Sequence, residues 1–585
     1  HRVPYVLICA TLCAVLSILL IENESTDFWF TKLFMTVGLG IPLFFSLTLY
    51  LEKPLPSFRP RPVVLLLGGV ALLAGFYFLS GDAPTQTFFL NYAQWGLAFH
   101  LLAAFSPFLS RGEVNGFWQL NRSMFLRFCL SFLYTSVFYV GLALALVAWK
   151  NLLGWDLHDK LFAELWVFSV FVLQTWHFTA GLPTDLRKLD RWDDYPNALK
   201  IFAQYMLVSL TTLYVLILFL YLGKILVHGT WPKGVVTWLV SFVSVLGVLT
   251  LLLLHPVQGR KENGWIKVFA KGFYLSLLPL LGMLFAAVGQ RIGQYGVTEQ
   301  RYFVTALAVW ILGIVLYFLL TRSSNIKVIP LSLFLITLAT SFGPWGGYSV
   351  SQASQVARLK AQLLQAGLWD GAKAKKAVGE VTWEQRKEIS SILDYLVENH
   401  GVDSLQGWFS VDLSPWKKDS DLSRYGYSNV TTKVCESLGI DPVNRWEQKK
   451  KKDDNFYYYA SKKDDPLPVA GYDSILELEW QNSYKLEGKS CPLTLVKGEY
   501  RVSLPDGSSL VYDLEAQLRK VEADPRSKGT DHIPVDLMTL EAGNKAYEVR
   551  LLLSVLSGEK KPNGTQFGRV QGHLLFKKRS GGRKP

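Results

Sequence analysis

Polar and ionisable side chains inside long apolar runs are the first residues here with chemistry to offer. A charge at the centre of a bilayer costs on the order of 2.5–3.5 kcal/mol by insertion scales, so each such group needs a reason to be there. Asn91, Gln94 and His100 share one run, and Arg127 opens the next. Gln174 and His177 lie three residues apart in another, on one helical face. Together these groups could line a polar cavity or a proton path. The simpler reading has both histidines neutral and hydrogen-bonded between helices, with Arg127 reaching the headgroups along its apolar stem.

A second group, Arg291, Thr298, Glu299 and Arg301, brackets the start of another run. Thr298 is placed to cap the helix that follows, with Glu299 in its first turn beside the positive end of the helix dipole. Arg301 could hold a carboxylate or a phosphate. The structural alternative is that Glu299 and Arg301 fix a soluble domain to the membrane. That domain begins after Phe342-Gly343-Pro344-Trp345, where Pro removes a donor, Gly allows close approach and Trp favours the interface. Ser349, Ser351, Gln352 and Arg358 follow within one helix and are expected close to Glu299 and Arg301. Gly289 and Gly293 have the spacing of a close helix contact.

The elements that position these residues are membrane spans. A bilayer core needs roughly 20 helical residues, and apolar runs of that length crowd the first 345 of 585 residues. The expected architecture is a polytopic α-helical bundle followed by a soluble α+β domain. About eleven spans are expected: 3–21, 29–51, 63–79, 87–109, 124–149, 161–180, 199–222, 234–255, 268–290, 301–320 and 328–345. The chain opens on His1, so its true start is expected upstream, and the first run reads as a retained span. Trp149, Trp231, Trp265 and Trp345 mark span ends.

Even-numbered links are basic, with Lys53, Arg59 and Arg61; Arg111 and Arg122; Arg187, Lys188 and Arg191; Arg260, Lys261 and Lys267; Arg322 and Lys327. Odd links are poorer in Lys and Arg. The even links are therefore expected in the cytoplasm, and the soluble domain outside it. This placement absorbs much of the net charge of +13 without nucleic acid as a partner. The expected partners are the bilayer and an envelope protein or ligand at the soluble domain.

Of five cysteines, Cys9, Cys13 and Cys129 lie in apolar runs. Cys435 and Cys491 lie in the soluble part and could form a disulfide outside the cytoplasm. No cysteine pair has zinc-ribbon spacing. There is no phosphate loop, no G-x-S-x-G and no H-E-x-x-H, so no catalytic residue, cofactor or metal is assigned.

The body is read as 1–345, a helical lead-in as 346–410 and a mostly β module with a basic tail as 411–585. Val356, Leu359 and Leu363 form one helical face ending near Gly367. Thr382 and Gln385 have capping-box spacing before Ile389, Ile392, Leu393 and Leu396, with Gly401 as the stop. Period-two patterns from about 470 predict strands, two of them turned at Pro505-Asp506-Gly507. The segment from Trp446 to Pro466 reads as an exposed, charged loop.

Two stretches carry a recognisable pattern, "GVTEQRYFVTALAVWILGIVLYFL" from Gly296 and "FGPWGGYSVSQASQVARLKAQLLQAG" from Phe342. Together they resemble the bacterial membrane family known as domain of unknown function 4153. The resemblance implies a bacterial cytoplasmic membrane and carries over no reaction or catalytic residue. Three functions stay open. The first is a non-enzymatic envelope component whose external domain binds a partner or ligand, as a sensor or in assembly. The second is a secondary transporter. The third is an enzyme acting on a lipid-linked substrate near Arg291, Glu299 and Arg301.

Overall fold

A computed structural model describes residues 2–579 apart from 24–26, 56–59, 82–83, 111, 155–156, 230–234, 322–324, 414, 416–428, 444–455, 462–468, 479–482, 497, 528–531 and 562–563. Arg59, Arg111, Trp231 and Arg322 lie outside the described residues. Contacts divide the chain into two compact units, 1–447 and 448–585.

Eleven helical segments occupy the apolar part of the first unit. They are α1 (Pro4–Glu22), α2 (Phe28–Glu52), α3 (Pro62–Leu79), α4 (Gln86–Phe105), α5 (Val114–Leu153), α6 (Lys160–Ala180), α7 (Asn197–His228), α8 (Val235–Leu254), α9 (Gly264–Tyr295), α10 (Glu299–Leu320) and α11 (Val328–Ser341). Among the described residues, nine helices are long and apolar enough to cross a membrane. α4 and α11 are the other two. α4 carries Gln86, Asn91, Gln94 and His100, and α11 has only 14 residues. These two pack against each other, and α4 also packs on α2 while α11 packs on α10. They are thus screened by more apolar neighbours. Opposite in character is α5, where Phe128, Leu133, Val137 and Leu144 are more than half exposed. On a membrane helix that surface is the one that meets lipid.

Contacts among the described residues group several of the links into two sets, one on each of two faces. On one, Lys53 pairs with Glu113 at 2.8 Å, and Lys327 donates to the carbonyls of Phe108, Ser110 and Gly112. Asn115 donates to the carbonyls of Asp190 and Trp192, and Arg260 lies 3.6 Å from Asp193. Links two, four, six, eight and ten are joined by these contacts. On the other face, Lys160 reaches the Glu22 carbonyl, and Lys32 donates to the Ser80 carbonyl.

Past α11 come α12 (Gly347–Gln365), α13 (Trp383–His400) and α14 (Asn429–Ser437). Leu359 and Leu363 of α12 pack on Ile389, Ile392, Leu393 and Leu396 of α13, all essentially solvent-free. The Thr382 and Gln385 side chains form the reciprocal capping box. Gly367 and Gly401 end the two helices with φ of +70° and +74°. α14 belongs to this helical core through Val430, Val434, Cys435 and Leu438. The boundary therefore lies past 411, at 447, because the apolar face of α14 is spent on α13.

The second unit holds two sheets. The larger runs β2 (Ser474–Leu478), β10 (Gly564–Lys578), β9 (Tyr547–Lys561), β1 (Phe456–Ser461) and β7 (His532–Ile533), with β8 (Thr539–Gly543) also on β9. The smaller runs β3 (Ser483–Leu486), β4 (Lys489–Val496), β5 (Glu499–Ser503) and β6 (Ser509–Asp513) in order. The turn at 505–507 joins β5 and β6, with Gly507 at φ +84°. The aromatic run at 456–461 is strand β1 rather than exposed loop, because Tyr457 and Tyr459 find a core beside β9. A helix, α15 (Leu514–Ala523), buries Leu514, Leu518 and Val521 in the same core.

Candidate junction site at the start of α10

Glu299 is the best-enclosed carboxylate of the junction. Its side chain is 3% exposed and lies 2.9 Å from His400 Nε2, itself 5% exposed. Neither Glu299 Oε1 nor His400 Nε2 makes a directed hydrogen bond among the described residues, so the two groups meet as a close polar contact. The other carboxylate oxygen accepts from the Tyr395 hydroxyl. Burial, then the Glu299 charge, pushes the Tyr395 phenol up, so it stays protonated and remains a donor. Ser351, fully buried on α12, borders the same hydroxyl. Burial and the Glu299 charge also raise Tyr348, which donates to Gln94 Oε1 at 2.5 Å. Gln94 in turn reaches Thr340 of α11 at 3.4 Å.

The α9–α10 turn is clasped from α12. Gln355 Nε2 donates to the carbonyls of Tyr295 and Val297, both at 2.9 Å. Val297 N–H donates to Ser354 Oγ at 2.9 Å. Arg301 donates to the carbonyls of Tyr295 and Gly296, and Arg358 also donates to that of Tyr295. These donors meet carbonyls at a helix C-terminus, which has no further turn to satisfy them. Arg358 is ion-paired with Glu388 of α13. Burial, then the neighbouring Arg301 charge, lowers Arg358.

The structure brings Glu299, Arg301, Ser351 and Arg358 into one region, but through partners the sequence did not suggest. Ser349 is exposed and Gln352 half-buried. Ser354, Gln355, Tyr395 and His400 make the contacts instead. Helical spacing from Ser351 to Gln355 was the available signal for Gln355, whereas nothing local marked Tyr395 or His400. Thr298 stands at the N-cap of α10, yet its side chain makes no cap bond. At the junction, Gly343 has φ +83° and Gly346 N–H closes a turn onto its carbonyl. Trp345 is 61% exposed, and its carbonyl accepts from Tyr302 at 2.6 Å. Phe342 is also exposed, and Pro344 lies in this turn.

The intramembrane candidates do not meet in one cavity. His177 Nδ1 lies 2.8 Å from Ser131 Oγ, linking α6 to α5, with Tyr134 edge-on to its ring. His100 is exposed and, among the described residues, bonds only to the Gly96 carbonyl of its own helix. Arg127 runs along Gly181, where any Cβ would strike it. Gln174 ends a π-helical turn in α6. Asn91 buries its Oδ1 in α4 without a hydrogen bond.

Two further expectations need correction. Cys435 and Cys491 are free thiols, each packed in the core of its own unit, as small apolar residues would be. Burial pushes the Cys435 thiol up to about 12. Among the described residues, nothing lies within 4 Å of a Cβ at Gly289 or Gly293, so they make no close helix contact there; Gly40 against Cys9 and Gly247 against Phe273 do.

The family model described as "Domain of unknown function (DUF4153)" matches residues 7–373, which runs from within α1 to just past the end of α12. This chain belongs to that family. A protein of Pasteurella multocida (strain Pm70) described as uncharacterized is 24% identical over 383 residues, which is 63% of each chain. The chain therefore spans about 63% of the length of that relative. No solved structure matches. The DUF4153 match ends just past α12, so it includes the clasp on the α9–α10 turn but neither Tyr395 nor His400.

Proposed function

We propose that this DUF4153 protein is a non-enzymatic component of the bacterial cytoplasmic membrane. All eleven helices cross the bilayer, and the chain from 346 onward stands outside the cytoplasm, where it binds an envelope partner or ligand in sensing or assembly. The observation that carries this reading is the sealed contact of Glu299 with Tyr395 and His400. It spends the most distinctive polar groups of the region on holding α13 to a membrane helix, and leaves them closed to a substrate. The grouping of link contacts on two faces supports eleven crossings. The basic residues Lys53, Arg122, Arg187, Lys188, Arg260 and Lys327 on the even face support its cytoplasmic placement.

Protease added to spheroplasts tests the orientation and the latch together. It should cleave beyond Trp345, slowly in the wild type and faster in Glu299→Gln, with the membrane body intact in both. Cleavage only after the membrane is opened would overturn the placement. A photo-crosslinker at Val378, 94% exposed, should capture an envelope protein or ligand. Adducts with lipid alone would overturn the binding role.

A further inference from the structure

Three guanidinium groups surround one ring. The central carbons of Arg291, Arg301 and Arg358 lie 5.7, 5.6 and 5.6 Å from the Tyr295 centroid. Among the described residues, only Arg358 of the three has a carboxylate partner, Glu388. Among the described residues, Arg291 makes the ring contact alone, and Arg301 adds bonds to two backbone carbonyls. Glu299 does not neutralise them, because its carboxylate is closed against Tyr395 and His400. Two uncompensated cations therefore share a small region, and like charges at that distance repel. A guanidinium carries five N–H donors in a planar fork, most of them still unused here.

The location narrows the ligand. Two apolar spans, α9 and α10, end and begin here, so the cluster lies at the border of the hydrocarbon layer. Tyr295 is 40% exposed and Trp345 61% exposed, as aromatic side chains at headgroup level are. An oxygen-rich anion at that level is the phosphate of a lipid. We propose that Arg291 and Arg301, set around the Tyr295 ring, form a phosphate-recognition site that holds the headgroup of an anionic phospholipid. Arg358, neutralised by Glu388, braces the site. This inference needs a membrane surface at the α9–α10 turn but does not depend on which side faces the cytoplasm.

The test uses the full chain, purified and stripped of lipid, then offered phosphatidylglycerol or phosphatidylcholine and read by native mass spectrometry. Wild type should retain phosphatidylglycerol over phosphatidylcholine. Arg291→Gln should weaken that retention by about tenfold, the factor one lost charge-assisted hydrogen bond carries. Arg260→Gln, at the opposite ends of the spans, should leave it unchanged. Inorganic phosphate at millimolar concentration separates the two sources. Failure to displace the lipid assigns the site to headgroups, and displacement in the wild type assigns it to soluble phosphate as well. If Arg301→Gln unfolds by releasing the α9–α10 turn, Arg291→Gln decides alone, since Arg291 holds no carbonyl. Equal phosphatidylglycerol retention by wild type and Arg291→Gln would overturn the proposal.

Discussion

Glu113 and Glu299 are two carboxylates that the fold treats differently. Glu299 is sealed with an imidazole and a phenol, whereas Glu113 is a partly open hub on the even-link face. Glu113 stands before α5 at φ +50°, an uncommon conformation for a non-glycine residue. Its carboxylate pairs with Lys53 at 2.8 Å and accepts from Ser110 at 2.6 Å. Burial alone would raise its pKa, but the Lys53 and Ser110 bonds and the Lys53 and Lys327 charges bring the net value below the usual Glu range. A carboxyl whose folded pKa is depressed adds stability in full above its unfolded value and loses it as pH falls through the folded one. Glu113→Gln should therefore melt below wild type at neutral pH. The gap should close as pH drops through and below the ordinary Glu range. Thermal unfolding of both proteins in detergent checks this, and a gap that persists at the acid end would show that Glu113 acts by shape rather than charge.

At the scale of elements, the α9–α10 turn governs how α12 sits on the membrane helices. Gly296 has φ +68° and ψ −179°, a region open essentially to glycine alone. A Cβ there would come within 2.9 Å of Gln355 Nε2 and 3.1 Å of Ser354 Oγ, the side chains that clasp the turn. Gly296→Ala should cost about 1–3 kcal/mol in backbone strain and release the clasp. Faster hydrogen exchange at Val297, whose amide is held by Ser354, would report it; unchanged exchange would contradict the clasp. The sequence marked Gly296 only as the first residue of a recognisable stretch. It made the positions of the apolar helices and the α12 and α13 faces legible, because apolar length and the 3.6-residue period are local signals. The capping box at Thr382 was legible for the same reason. Tyr395 and His400 were not, since their partner Glu299 lies about a hundred residues away and no periodicity reports such a meeting. Helix α15 was hidden behind the alternating strands before it, and β1 behind its charged flanks.

At the scale of the molecule, the division at 447 separates two kinds of core. The first unit is built from helices, many of whose apolar surfaces are complete only against lipid. The second unit closes on itself. Val502, Leu514, Ile533, Met538, Val549, Leu551, Leu556 and Leu574 are at 0% exposure in one cluster that draws on both sheets and on α15. The long β9–β10 hairpin is bent by register shifts at Phe567/Arg569 and Gln571/Gly572. At the second shift a Cβ on Gly572 would fall 1.9 Å from the Leu552 carbonyl, so only glycine fits. Tyr512 adds a buried bond to the Val549 carbonyl at 2.9 Å, tying β6 to β9. A core with these internal partners needs no bilayer to exclude water from it. Residues 448–585 expressed alone should therefore be soluble without detergent and unfold cooperatively in urea. Leu551→Ala in that fragment should cost about 2–5 kcal/mol, the range for a large aliphatic side chain removed from a packed core. A shift of the urea midpoint with an unchanged slope would show the loss to be one of packing. A fragment that stays soluble only in detergent, or melts without cooperativity, would mean that the second unit depends on the first for its fold.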